Sequence, residues 1–210
     1  MKTKVWLTIV LSGLLCLTSL AQEKKNYIWS YEGKKRTNTI GLYGSVSGTY
    51  STVMDNSANW LGYKAGLVFN QHWGIGFAGS ALNYDKNLDR LVANGTYRLE
   101  AGYSGLFLEY IVPLKDKAKL SFSWTTGMGL AQYVYNKEFK ENKLWYEEII
   151  DQERFAANEL AAEFMFRLAG NWWLGVQGSY RDTSPVELIE TADDIFEQFN
   201  VGISIKYGIF

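Results

Sequence analysis

VGISIKYGI, residues 201–209, decides the fold. Its odd positions hold Val201, Ile203, Ile205, Tyr207 and Ile209, and its even positions hold Gly202, Ser204, Lys206 and Gly208. An apolar residue at every second place gives an extended chain one complete greasy stripe, so this segment is a β-strand. The opposite stripe is small or charged. That contrast recurs along the chain.

Upstream, Ile40, Leu42, Val46 and Tyr50 alternate with Gly41, Tyr43, Ser45, Ser47 and Thr49. Leu61, Tyr63, Ala65, Leu67 and Phe69 oppose Gly62, Lys64 and Gly66. After a turn at 70–72, Trp73, Ile75 and Phe77 oppose Gly74, Gly76, Ala78 and Ser80. Leu106, Leu108, Tyr110 and Val112 alternate with Phe107, Glu109 and Ile111, and Leu120, Phe122, Trp124, Met128 and Leu130 with Ser121, Ser123, Thr125, Gly127 and Gly129. Leu160, Ala162, Phe164, Phe166 and Leu168 oppose Ala161, Glu163, Met165 and Arg167. Gly170-Asn171 then turns the chain into Trp172, Leu174, Val176 and Tyr180 against Trp173, Gly175, Gln177, Ser179 and Arg181. With the last strand this makes eight.

The turns near 70–72, 114–118 and 169–171 are tight, whereas the connections near 84–104, 134–156 and 182–194 are long and polar; the one at 53–57 is brief. An even number of strands with short turns on one side and long loops on the other is the signature of an outer-membrane barrel with both ends in the periplasm. One segment carries a competing signal. Residues 138–168 are rich in Glu, Lys, Ala and Leu and suit a helix; helix propensity is a weak prior, and the reading is a loop with a possible helical turn over 137–155 and a strand over 157–168.

Residues 1–21, MKTKVWLTIVLSGLLCLTSLA, have a basic start, an apolar run and a Ser19-Leu20-Ala21 cleavage site, as a secretory signal does. Residues 22–37 lack alternation and read as a periplasmic lead-in to a barrel domain over 38–210. The chain has 210 residues, enough for one domain, with 47% hydrophobic content that excludes a disordered chain. Its lone Cys lies in the signal, excluding a disulfide scaffold, and a formal charge of −1 gives no argument for nucleic acid.

The fold class is therefore all-β: an eight-stranded, antiparallel, up-and-down transmembrane barrel. A sheet in hydrocarbon must close so that every backbone group pairs. The greasy stripe then faces lipid, with Tyr50, Phe69, Trp73, Trp172, Tyr180 and Tyr207 near strand ends as interfacial girdles. A soluble lipocalin-type barrel would reverse the faces. Inside, Lys64, Glu109, Glu163, Arg167 and Lys206 each stand a few residues before a short turn or the C-terminus, opposite small residues. This cluster reads as a lumen plug of paired charges, with an ion path or ligand site as the alternative.

The signal, the eight strands and the aromatic C-terminus together resemble the small outer-membrane β-barrel proteins of the OmpA/OmpX class. The resemblance implies a C-terminal assembly signal, matched by Asn200, Gly202, Ile205 and Tyr207, with Phe210 last but off the Ile205/Tyr207 parity. It implies outer-membrane lipid and the assembly machinery as partners, with an extracellular partner at the long loops. It implies a non-enzymatic structural or surface role, beside three alternatives: a small-solute channel, a lipid-modifying enzyme or a soluble lipid-binding barrel.

No catalytic, cofactor or metal site is expected. His72 stands in a short turn, and Glu147, Glu148, Asp151 and Glu153 match no defined calcium loop. Gly127-x-Gly129 lacks the third glycine and the helix of a dinucleotide site. Trp145, Tyr146, Ile149 and Ile150 form a candidate contact patch, and Asp193-Asp194-Ile195-Phe196 reads as the water-side rim of the last strand.

Overall fold

The computed structural model describes residues 29–32, 37–84, 97–115, 117–136, 147–189 and 191–209. Its strands are β1 (Trp29–Glu32), β2 (Thr37–Val53), β3 (Asn56–Phe69), β4 (Trp73–Asn83), β5 (Tyr97–Lys115), β6 (Ala118–Asn136), β7 (Glu147–Ala169), β8 (Trp172–Thr183) and β9 (Gln198–Ile209). Each pairs antiparallel with the next, and β9 returns to β2, from Leu42↔Ile209 to Tyr50↔Val201, so β2–β9 form a closed eight-stranded ring. Closure removes the lateral edges that an open sheet would expose. β1 pairs with the start of β2, from Trp29↔Ile40 to Glu32↔Thr37, beyond the point where β9 ends. The segment read as a lead-in thus contains a short strand that covers this part of the β2 edge. The signal region and Phe210 lie outside the described residues.

The faces fall as the alternation requires. Leu61, Phe77 and Val201 are each more than 60% exposed, while Glu109 and Lys206 are at or below 1%. A water-soluble barrel has the opposite arrangement. On β9 the outward run from Phe199 to Tyr207 has the length of the roughly 9–11 residues a tilted strand needs to cross hydrocarbon. Outward aromatics meet in pairs toward the strand ends: Trp73–Tyr110 at 4.8 Å, Trp172–Tyr207 at 4.9 Å and Tyr180–Phe199 at 4.8 Å between centroids.

The β2–β3 connection is a two-residue turn with Met54 and Asp55 both at positive φ, 50° and 60°, the twist that suits a hairpin. At the other end, the turns at 70–72 and 170–171 are short, and Lys115 of β5 pairs with Ala118 of β6. Arg167 N–H of β7 donates to the Lys117 carbonyl and Gly208 N–H of β9 to the Asn171 carbonyl, tying each of these residues to the neighbouring strand.

Two expectations are corrected here. β7 begins at Glu147, so 147–155 is strand and not loop; it pairs with β6 from Asn136↔Glu147 to Ala118↔Phe166, with one register shift near Tyr133. The ladder overrides the helix-favouring composition, because alternate residues Phe155, Ala157 and Met165 are buried inward. β5 and β6 likewise run into the segments read as loops, to Tyr97 and Asn136. The second correction concerns 184–197. This connection turns into the barrel mouth, and Val186, Leu188, Ile195 and Phe196 join Trp60, Leu99, Tyr133 and Phe155 in one buried cluster. Asp193 and Asp194 stay exposed, but Ile195 and Phe196 are core and precede the strand, so they are not its rim.

Candidate functional site

The barrel interior holds two layers of charge. In the layer nearer the short turns, Lys206 Nζ donates to Glu109 Oε1 at 2.9 Å and to Glu163 Oε2 at 3.2 Å, with all three side chains buried. Tyr43 Oη donates to the other oxygen of Glu109, and Ser204 Oγ to the other oxygen of Glu163. Ser121 Oγ donates to Glu163 Oε2 at 3.4 Å, and the ammonium sits 4.6 Å from the centre of the Tyr43 ring. Two carboxylates therefore share one ammonium, and each oxygen that the ammonium leaves is taken by a hydroxyl. Buried charge is tolerated only with such partners.

Strand geometry sets this up. Lys206, Glu109 and Glu163 come from β9, β5 and β7, and the strands between them supply small side chains. A Cβ on Gly175 of β8 would lie 2.2 Å from Glu163 Oε1 and 2.3 Å from Ser204 Oγ. Glycine there leaves the room through which the carboxylate reaches the serine. An apolar group of Val68, Phe107, Ile111, Met165 and Trp173 surrounds the cluster.

The five charges expected in the lumen divide. Glu109, Glu163 and Lys206 are in direct contact. Lys64 is half-buried a step away, its Nζ donating to Ser123 Oγ at 2.8 Å. Arg167 is not among them: it is exposed, and its Nε donates to the Gly170 carbonyl at 2.6 Å. The β7–β8 register shifts between Arg167 and Ala169, and that irregularity beside the turn releases the side chain from the inward row. A base the sequence reading missed stands nearby. Lys119, inward at the start of β6, places its Nζ 4.5 Å from the Trp173 ring centre; its parity with Ser121 was the available signal.

The second layer was also missed. Arg181 is 1% exposed, and its Nε lies 3.3 Å from Glu159 Oε2. Its guanidinium stacks 3.8 Å from the Trp60 ring centre and 5.1 Å from that of Tyr103, whose hydroxyl donates to Glu159. Trp60 Nε1 in turn donates to Ser51 Oγ at 3.1 Å. Between the layers is a cavity of about 30 Å³ bordered by Ser47, Lys64, Thr125, Glu159 and Gln177, room for roughly two water molecules.

The remaining candidates are placed as follows. Asn200 and Gly202 lie on the inward row of β9, Asn200 buried, and Ile205 and Tyr207 on the outward row. His72 is half-buried in its turn, its Nδ1 2.6 Å from the Asn70 carbonyl oxygen. Both carboxylate oxygens of Asp151 are engaged by backbone: Oδ1 by Gln152 N–H and Oδ2 by Ile189 N–H, each at 2.9 Å. Among the described residues no three His, Cys, Asp or Glu side chains converge as metal ligands would. Gly129 faces the Phe155 ring, which a Cβ would meet at 2.3 Å, so this glycine admits a core aromatic. Ile149 is exposed, whereas Trp145 and Tyr146 lie outside the described residues.

Comparison with solved structures gives the same architecture. Neisserial surface protein A superposes with a TM-score of 0.52 at 9% identity, covering 85% of this chain and all of that one (100%). The N-terminal β-barrel domain of OprF from Pseudomonas aeruginosa superposes with a TM-score of 0.50 at 6% identity, covering 80% of this chain and 96% of the other. At such identities the likeness is one of fold: an eight-stranded transmembrane β-barrel. No family profile and no curated protein sequence matches the chain.

Proposed function

We propose that this chain is a non-enzymatic integral outer-membrane protein with a closed lumen, whose role is interaction at the cell surface. The observation that carries this reading is a change of outward side chains part-way along three strands that continue past it. On β5 the outward row passes from Leu106 to Glu100 and Arg98, on β6 from Leu130 to Gln132, and on β7 from Leu160 to Asn158, Arg154 and Gln152. Lipid favours the first kind of residue and water the second. The three strands therefore rise beyond the hydrocarbon as a polar wall at the end carrying the long connections, and a partner would meet this wall.

The layers at Lys206 and Arg181, with the cluster around Phe196 above them, support a lumen that does not conduct, as expected where eight strands enclose little more than their own side chains. The C-terminal residues Asn200, Gly202, Ile205 and Tyr207 keep their proposed role as the signal for the assembly machinery. Fractionation with an alkaline wash, followed by protease shaving of intact cells, tests the reading. We expect retention in outer membranes, with cuts confined to the end opposite the short turns. A protein that washes free, or is cut only after the outer membrane is opened, overturns it.

A further inference from the structure

The outward surface is not uniformly filled. On neighbouring rows of the sheet, Leu61 of β3 is followed by Ala81 of β4, Gly102 of β5 and Leu130 of β6, and Tyr63 is followed by Gly79, Ser104 and Met128. Large residues on β3 and β6 thus flank a floor of Ala81, Gly102 and Ser104 on β4 and β5, while the Tyr63 ring lies over Gly79 and buries it. One row farther toward the short turns, the paired Phe77 and Leu106 stand up from the same two strands and close that end. The result is a trough of about 840 Å³ on the lipid-facing side, in the size range of small-ligand sites. Its floor is two strands wide, at about 4.8 Å per strand, and opens toward the polar wall.

One flank of that opening is charged. Arg154 borders the trough, opposite Leu130 on the β6–β7 ladder, and is exposed. Among the described residues it forms no ion pair, and Glu100 on the outward face of β5 is engaged by Gln132 Nε2 at 3.2 Å. An apolar channel starting where the outer surface turns polar, with a guanidinium beside its mouth, has the layout of a single amphiphile carrying a negative head. Guanidinium pairs with phosphate through a planar fork of donors.

We propose that this trough holds the upper part of an acyl chain of a phosphorylated membrane lipid, with Arg154 pairing the phosphate. The inference rests on the membrane reading above, since only a lipid-facing surface presents the trough to acyl chains. Hydrocarbon competes for the chain on equal terms there, so selectivity comes from the head: a phosphomonoester carries more charge than a diester, and a choline beside the phosphate offsets it.

Native mass spectrometry of the folded full-length chain in detergent tests this. The probes are dimyristoyl phosphatidic acid, dimyristoyl phosphatidylcholine and inorganic phosphate. We expect one phosphatidic acid per chain, retained at least tenfold more strongly than phosphatidylcholine, and no retained inorganic phosphate. Arg154→Gln should lower phosphatidic acid to the phosphatidylcholine level. The double variant Ala81→Leu/Ser104→Leu, whose new side chains point outward into the trough, should lose the adduct while keeping the heat-modifiable mobility of a folded barrel. Equal retention of the two lipids, retention of phosphate alone, or an adduct surviving the double variant overturns the proposal. A barrel that fractionates with membranes yet shows no adduct sinks this inference alone, whereas one that washes free sinks the membrane reading.

Discussion

The two ends of the lumen are filled by different physics. Toward the short turns the filling is ionic and built from strands alone: Lys206, Glu109 and Glu163, fixed by the ladder, with hydroxyls from Tyr43, Ser121 and Ser204. Toward the long connections it is mostly aromatic and aliphatic, and part of it comes from the β8–β9 connection folding inward through Val186, Leu188, Ile195 and Phe196. The first filling cannot leave without dismantling the ring. The second is held to the wall between its ends by few polar contacts, Ile189 N–H to Asp151 and Thr191 to the Tyr133 hydroxyl, so it can open locally while the barrel stays closed. The same barrel therefore has a rigid floor and a hinged ceiling.

The largest effect should come from the floor. Lys206→Met removes the only ammonium in contact with Glu109 and Glu163 among the described residues and leaves two buried carboxylates side by side. Breaking a buried pair in this way costs about 3–5 kcal/mol, read as a lower urea midpoint in detergent. Lys206→Met combined with Glu109→Gln and Glu163→Gln should recover most of the loss, because neutral partners need no counter-charge. A triple variant as unstable as the single one would show that shape, not charge, holds the floor. In the ceiling, Phe196→Ala removes a fully buried ring that packs 5.7 Å from Trp60 and 5.3 Å from Phe155. Its cost should be about 3 kcal/mol, the low end for Phe→Ala, since the connection can swing into water. The expected signature is new protease cleavage within 184–197 with an unchanged unfolding midpoint of the ring. A lowered midpoint without new cleavage would mean that floor and ceiling unfold as one.

The difference between the ends also explains what the sequence disclosed. Strands inside the membrane announce themselves, because an outward apolar row beside an inward small or charged row gives the sharpest period of two; Ile203, Ile205 and Tyr207 against Ser204 and Lys206 show it. The parity that located the strands located Glu109, Glu163 and Lys206 as well. Above the hydrocarbon the outward row turns polar, as at Arg154 and Gln152, while Phe155 and Ala157 still face inward. The contrast fades, and the Glu-rich run at 147–156 then looks like loop or helix. Arg181 and Glu159 shared the inward parity, but nothing local showed that they would meet across the β7–β8 ladder and lie against Trp60. The inward turn of 184–197 is a long-range packing event, which no periodicity records. Arg167 failed for the opposite reason: its parity was right, and one register shift beside a turn removed it.

Glu163→Ala is a milder perturbation of the floor than Lys206→Met. It leaves Lys206 paired with Glu109 and removes one of two salt bridges, so the loss should be about 2 kcal/mol, the scale of one hydrogen bond to a charged group. A midpoint indistinguishable from the parent would mean that Glu163 only fills space.

Gly175→Ala should have the smallest effect of the set and separates steric from electrostatic control of the floor. The added methyl would come within 2.2 Å of Glu163 Oε1, so the carboxylate must turn away from Ser204. It need not leave Lys206, which reaches its other oxygen. The loss should therefore lie near 1 kcal/mol, the low end of the overpacking range. In the background of Glu163→Ala the methyl meets only the Ser204 hydroxyl, at 2.3 Å, which can rotate away once its carboxylate partner is gone, and Gly175→Ala should then cost little further. A double-mutant cycle in detergent measures this, and contacting residues are the ones expected to couple. Strict additivity of the two substitutions would mean that Gly175 serves the backbone of β8 and not the reach of the Glu163 carboxylate.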